Sequence, residues 1–156
     1  MSQLDTSRFD QTRKDTAGQC EPQVRQCLQD HFDADANQVV CAEHGREGAY
    51  ETGGDYQPTD LLDYAGIDWL VDDAPAIVGI GERIRPNDPD RRDFSWRVDN
   101  GVSRPCESDR IPAGLQRGIA PSALLFGWRT GSSLDRAWLL DTQTLVDCLR
   151  QGGLNP

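Results

Sequence analysis

Two acidic residues lie in otherwise apolar segments that are typical of buried strands. Asp68 follows Gly66-Ile67, and after 13 intervening residues Glu82 follows the apolar run 76–81. A carboxylate in such a segment is costly to bury unless it is paired or binds a cation. If the two segments are neighbouring strands, both carboxylates come close to one ion, and carboxylate oxygens are the ligands that Mg²⁺ prefers. Alternatively, Asp68 ends its strand in a turn and Glu82 pairs with a nearby arginine.

The elements that carry these acids follow the order helix, three strands, helix, two strands, helix. The first helix begins near Glu21-Pro22 and ends near Asp33, because Val24, Cys27 and Leu28 stand at helical spacing. Strands are predicted at 66–71, 76–85, 93–98, 123–128 and 137–140, with residues 38–41 as a further short strand outside that order, and helices at 109–122 and from Thr142 or Thr144 to Gly152. We therefore predict an α/β (α+β) fold with a central mixed sheet of about five strands flanked by helices.

The order α-β-β-β-α-β, together with Asp68 and Glu82, resembles the restriction-endonuclease-like, or PD-(D/E)XK, family. The resemblance implies a metal-dependent nuclease in which Asp68 and Glu82 bind Mg²⁺ or Mn²⁺ and Glu21 joins them. The family has a lysine two residues after the second acid, where this chain has Ile84. Arg83 takes that position only if the strand register shifts, and a guanidinium is a poor substitute because it stays protonated. The resemblance therefore allows an active nuclease and a catalytically degenerate one.

Both histidines stand close to cysteines. Cys27 and His31 are four residues apart on the first predicted helix, and Cys41 and His44 are three residues apart after the first predicted strand. Four such ligands could close a tetrahedral structural Zn²⁺ site. Alternatively, the two cysteines are small buried hydrophobic residues and the histidines lie at the surface.

The charge of the chain is strongly acidic. It holds 20 Asp and 6 Glu against 15 Arg and one lysine, Lys14, which gives a net charge of −10. This composition resembles that of halophilic, haloarchaeal-type proteins, in which molar salt shortens the Debye length to about 3 Å and screens the repulsion between carboxylates. The alternative is an acidic protein from a genome of high GC content. Stability that does not rise with KCl would contradict the halophilic interpretation.

The basic residues are concentrated in one part of the chain. Residues 83–136 hold 10 of the 15 arginines. Such a concentration can form a surface for phosphate, and the candidate nucleic-acid-binding residues are Arg85, Arg91, Arg92 and Arg97. The alternative is that these arginines pair with the aspartates between them.

Domain organisation and location are predicted from composition. Residues 1–19 are expected to be a flexible polar arm and residues 20–156 a single domain. We expect a cytoplasmic protein without a membrane partner, because no apolar run is long enough to span a bilayer and no secretory signal is recognisable.

Two functions follow from these residues. The first is a nucleic-acid-processing protein that acts on DNA or RNA, as a monomer or a dimer. The alternative is a non-enzymatic protein-interaction module, stabilised by a structural zinc.

Overall fold

A computed structural model describes residues 7–42, 62, 65–87 and 107–152 of the chain. Within these residues the elements are a helix, three strands, a helix, two strands and a helix. The three described strands before the second helix include the short strand near residues 38–41, whereas the predicted three included 93–98. They are α1 (Ser7–Phe32), β1 (Val39–Cys41), β2 (Trp69–Asp73), β3 (Ala76–Pro86), α2 (Glu107–Arg117), β4 (Ala123–Thr130), β5 (Ser133–Asp141) and α3 (Thr142–Arg150). None of the helices in these ranges is both long and apolar enough to cross a bilayer.

The described strands form one mixed sheet in the order β1-β2-β3-β4-β5. Three neighbouring pairs are antiparallel, whereas β3 and β4 are parallel. A parallel pair needs a crossover connection, and α2 lies in the segment between these two strands. The prediction of an α+β fold with a mixed sheet is confirmed.

The two faces of the sheet contact different helices because side chains alternate along each strand. On the first face, which we call the α1 face, Val24 and Leu28 of α1 pack against Val71, Ile80 and Leu125. On the opposite face, the α2/α3 face, Ile111 of α2 and Val146 of α3 join a cluster with Leu124, Phe126 and Trp128. Burying one such aliphatic or aromatic side chain stabilises the fold by roughly 1.5–3 kcal/mol.

The first helix is longer than predicted. It begins at Ser7 and runs without a break past residue 20, so the part of the predicted arm from residue 7 onwards is helical, and Pro22 lies inside the helix instead of in its first turn. Residues such as Arg13, Lys14 and Ala17 have a high helix propensity but no apolar periodicity. A prediction that depends on an apolar stripe therefore misses this part of α1.

Two other elements are shorter than predicted. Helix α2 ends at Arg117 because Gly118 adopts a φ of 70° and the Ile119 N–H returns to the Gly114 carbonyl at 2.9 Å. Strand β2 begins at Trp69 instead of Gly66. The predicted strand at 93–98 lies outside the described residues.

Candidate functional site

Asp68 lies at a local irregularity between β2 and β3. Its N–H donates to the carbonyl of Ile80 at 2.8 Å, yet the ladder partner of Ile80 is the next residue, Trp69. Two consecutive residues therefore oppose one residue of β3, as in a β-bulge. The carbonyl of Asp68 also accepts a hydrogen bond from the Ala42 N–H at 2.8 Å, which ties the bulge to the end of β1.

The Asp68 carboxylate is bonded to the main chain of the second candidate acid. Its Oδ2 accepts the N–H of Glu82 at 2.5 Å. Because β2 begins only at Trp69, the Asp68 side chain supplies the acceptor that a longer strand would supply with a carbonyl. The two acids predicted from the sequence are therefore joined directly, through one side chain and one peptide group.

Glu82 projects from β3 on the α1 face, where Trp69 binds it. The indole Nε1 of Trp69 donates to Oε2 of Glu82 at 2.6 Å. Trp69 is 1% exposed, and the strand neighbour of Glu82 in β4, Leu125, is 2% exposed. A hydrogen bond to a carboxylate in such surroundings is stronger than a bond between neutral groups.

Helix α1 supplies an arginine and a third acid. The guanidinium of Arg25 lies 5.3 Å from the centroid of the Trp69 ring and also donates to the Val39 carbonyl. Its Nη2 lies 3.5 Å from a carboxylate oxygen of Glu21, one helical turn earlier. We call Glu21, Arg25, Asp68, Trp69 and Glu82 the Trp69 network. It joins the three acids that the resemblance implies.

The network contains carboxylate oxygens, the kind of ligand that a hard divalent cation prefers. Mg²⁺ is commonly bound through one or two protein carboxylates, with water and substrate phosphates as its other ligands. The Asp68 carboxylate is bonded to the Glu82 main chain, the Glu82 carboxylate is bonded to Trp69, and Glu21 is ion-paired with Arg25. In the part of the chain that the structure describes, no group of three or more His, Cys, Asp or Glu residues is arranged to hold a metal ion.

No protein-family model, curated protein or solved structure matches the chain.

Ile84 and Arg83 are the two candidates for the position that a lysine takes in the PD-(D/E)XK family. Neither of them supplies a lysine-like group beside Glu82. Ile84, two residues after Glu82, packs against the core of the α1 face. Arg83 points to the opposite face, because its ladder partner Phe126 belongs to the α2/α3 cluster. The strand register is therefore the one with Glu82 on the α1 face, and Arg83 does not lie beside it in the lysine position.

One of the four candidate nucleic-acid-binding arginines is described. Arg85 is exposed, on the α2/α3 face, and its ladder partner is Trp128. On the other side of Trp128, the guanidinium of Arg136 lies 4.4 Å from the ring centroid. Two arginines therefore flank one indole across three strands. Arg91, Arg92 and Arg97 lie outside the described residues.

Three of the four candidate zinc ligands are described. Cys27 and His31 lie one turn apart in α1, and Cys41 is the last residue of β1. Burial raises the pKa of the Cys27 thiol, and the charge of Asp30 raises it further. Because His44 lies outside the described residues, the zinc site stays a prediction.

Sequence reasoning missed Arg25 and Trp69, the two members of the network that are not acids. Each stood next to a signal in the sequence, because Trp69 follows Asp68 and Arg25 follows Glu21 by one helical turn. The missing information was the packing of α1 on β2, which brings the guanidinium onto the indole.

Proposed function

We propose that this chain is a nucleic-acid-processing protein resembling the divalent-metal-dependent PD-(D/E)XK nucleases, with Asp68 and Glu82 as its cation ligands. The observation that carries the proposal is the hydrogen bond from the Glu82 N–H to the Asp68 carboxylate at 2.5 Å, across adjacent antiparallel strands. It joins the Asp68 carboxylate to the main chain of Glu82, so the two proposed ligands belong to neighbouring positions at one end of the β2–β3 pair. The order of the described elements agrees with the α-β-β-β-α-β order of that family and supports the same proposal.

Each residue has a definite role in this proposal. A divalent cation bound there would lower the pKa of a water molecule and neutralise charge on the phosphate. Asp68 and Glu82 hold and orient it, whereas Arg85 lies on the opposite face of the sheet, so a phosphate that it contacts is not the one at the cation. Ile84 cannot position water or move a proton. We therefore expect either slow cleavage or a protein that binds nucleic acid without cleaving it.

The test measures cleavage and binding separately. Single- and double-stranded DNA and RNA are incubated with Mg²⁺ or Mn²⁺, in dilute buffer and in about 2–3 M KCl, the range to which such an acidic surface is suited. Binding of labelled oligonucleotides is followed by fluorescence anisotropy in EDTA. Glu82→Gln keeps an oxygen that can accept from Trp69 but removes the charge, and Asp141→Asn is a control on an exposed carboxylate outside the network.

The outcomes separate the versions of the proposal. Cation-dependent cleavage that is lost in Glu82→Gln and kept in Asp141→Asn supports an active site at Asp68 and Glu82. Binding without cleavage supports the degenerate version. Cleavage that persists unchanged in Glu82→Gln contradicts the assignment of the site, and the absence of both binding and cleavage contradicts the function.

A second candidate function, a protein-interaction module, is favoured by two exposed apolar side chains. Val40 of β1 is 52% exposed and Ile77 of β3 is 71% exposed. Both lie on the α2/α3 face, because their neighbours Val39 and Val78 pack in the core of the α1 face. A contiguous exposed apolar patch marks an association surface, and in this candidate function Val40 and Ile77 belong to such a patch.

The second candidate is tested by sedimentation equilibrium. If this face joins two copies of the chain, Ile77→Ser shifts the wild-type dimer to monomer. A wild type that sediments as a monomer contradicts self-association through this face.

Metal analysis of protein purified without chelators tests the structural zinc, and a content far below one zinc per chain contradicts it.

A further inference from the structure

We infer that Trp69 is a positioning residue for the Glu82 carboxylate, and that Arg25 of α1 holds the Trp69 ring in place for this purpose. The inference rests on the proposed cation site at Asp68 and Glu82. It adds two residues that do not bind the cation themselves, and it makes the affinity of the site depend on how α1 packs on the sheet.

The direction of the Trp69 hydrogen bond gives the first argument. An indole has one N–H donor and no acceptor, so it can only donate to the carboxylate. The bond to Oε2 of Glu82 is 2.6 Å long and starts from a ring that is 1% exposed. A buried ring has few alternative rotamers, because neighbouring atoms occupy the space it would need. The bond therefore restricts the position of Oε2 of Glu82.

The contacts of Arg25 give the second argument. Its guanidinium lies over the Trp69 ring with 5.3 Å between its central carbon and the ring centroid, within the range of a cation–π contact. The same guanidinium donates to the Val39 carbonyl and is ion-paired with Glu21. It is thus held by β1 and by its own helix. The Trp69 ring lies between this fixed group and Glu82.

The consequence concerns the affinity for a cation. Carboxylates that bind metals are usually held by hydrogen bonds from neighbouring groups, and removal of such a group typically weakens metal binding by about 10–100-fold. Trp69 is such a neighbouring group for Glu82, because its indole N–H donates to the Glu82 carboxylate. The main-chain N–H of Glu82 is such a group for Asp68, because it donates to the Asp68 carboxylate at 2.5 Å.

The experiment compares two conservative replacements of buried tryptophans. Trp69→Phe keeps an aromatic ring beneath Arg25 but removes the N–H donor. Trp128→Phe is the matched control, because Trp128 is 3% exposed and lies in the α2/α3 cluster. Mn²⁺ binding is measured by electron paramagnetic resonance, and the free energy of unfolding is measured in EDTA. We expect Trp69→Phe to weaken Mn²⁺ binding by about 10–100-fold and Trp128→Phe to leave the affinity unchanged.

A purely structural role for Trp69 predicts a different result. In that case Trp69→Phe would lower the free energy of unfolding in EDTA but leave the Mn²⁺ dissociation constant at the wild-type value, which overturns the inference and leaves the proposed site intact. A wild-type protein that binds no Mn²⁺ overturns the proposed site and the inference together. Arg25→Met, which removes the guanidinium and leaves the indole, should weaken Mn²⁺ binding in the same direction.

A measurement on the wild-type protein covers the case in which Trp69→Phe does not fold. Bound Mn²⁺ broadens nuclear magnetic resonances steeply with proximity. In an ¹⁵N-labelled sample, the indole N–H resonance of Trp69 should broaden at lower Mn²⁺ concentrations than those of Trp128 and Trp138. Broadening of Trp69 that comes no earlier than that of Trp128 and Trp138 overturns the proposed site and the inference together.

Discussion

Replacing Gly81 with alanine tests how the candidate site is assembled. Gly81 precedes Glu82 in β3, and a Cβ at this position would lie 2.7 Å from the carbonyl oxygen of Gly66 and 2.7 Å from Cδ2 of Leu124. The first of these atoms belongs to the main chain two residues before Asp68. Because a backbone oxygen cannot rotate away, the segment that leads into Asp68 has to move.

The expected cost follows from three contributions. Overpacking costs about 1–3 kcal/mol, and about 0.4–1 kcal/mol is regained because alanine restricts the unfolded chain more than glycine does. A shift of Asp68 also weakens its hydrogen bond to the Glu82 N–H, and bonds to charged groups contribute about 1.5–3 kcal/mol. We expect a loss of about 2–4 kcal/mol, which is a large part of the 5–15 kcal/mol typical of a folded domain.

Gly127→Ala is the control for this experiment. A Cβ at Gly127 would lie 2.5 Å from Cδ1 of Ile84 and 2.8 Å from Cδ1 of Leu134. Both atoms end flexible side chains that can change rotamer, so a loss of only about 1 kcal/mol is expected.

Equilibrium unfolding in urea, followed by tryptophan fluorescence, compares the two variants with the wild type. Gly81→Ala should also weaken Mn²⁺ binding, whereas Gly127→Ala should not. A loss for Gly127→Ala that equals or exceeds that for Gly81→Ala would refute the argument from the Gly66 backbone.

Three further predictions concern other parts of the fold. Asp141 caps α3 by accepting the Thr144 N–H at 2.7 Å, so Asp141→Ala should lower the free energy of unfolding by about 1 kcal/mol. The same bond and a second bond from the Thr144 hydroxyl lower the pKa of Asp141. The contribution of Asp141 to the free energy of unfolding, measured in urea at a series of pH values, should therefore be complete above pH 3.8, the ordinary pKa of the group, and should be lost as the pH falls through the lowered pKa. The Thr142 hydroxyl is buried with no hydrogen-bond partner in the described structure, so Thr142→Val should raise the urea midpoint or leave it unchanged. Burial raises the pKa of the Cys20 thiol, which is 0% exposed, so a thiol reagent should modify the exposed Cys148 before Cys20, and Cys20 only on unfolding, as peptide mapping would show.

The strands were the most predictable elements, because apolar and polar side chains alternate along a strand according to which face is buried. Val78 and Ile80 contact the core of the α1 face, as the period of two predicts, and Pro86 ends β3 where expected. The ends of helices were less predictable. The N-terminal part of α1 has no apolar periodicity, and the end of α2 depends on the backbone conformation of Gly118.

The candidate site was predictable only in part. Asp68 and Glu82 attract attention because a charge in an apolar strand is costly, and this cost can be recognised without a structure. The bulge that turns the Asp68 carboxylate to the Glu82 main chain cannot be recognised in that way. Nor can the stacking of Arg25 on Trp69, because it depends on how a helix packs on a strand that is distant in sequence.

The charges of the Trp69 network do not balance within the network itself. Its five residues carry three carboxylates and one guanidinium, and the indole of Trp69 supplies a hydrogen bond but no charge. Two negative charges in excess are costly in partly buried surroundings unless a divalent cation or cationic side chains from outside the network balance them. The two cases differ in one measurable quantity. If a cation balances the network, Mg²⁺ at 100 times its dissociation constant stabilises the fold by about 2.7 kcal/mol, and Glu82→Gln removes this gain. If arginines balance it, Mg²⁺ changes the unfolding midpoint of wild type and variant equally, because no site distinguishes them.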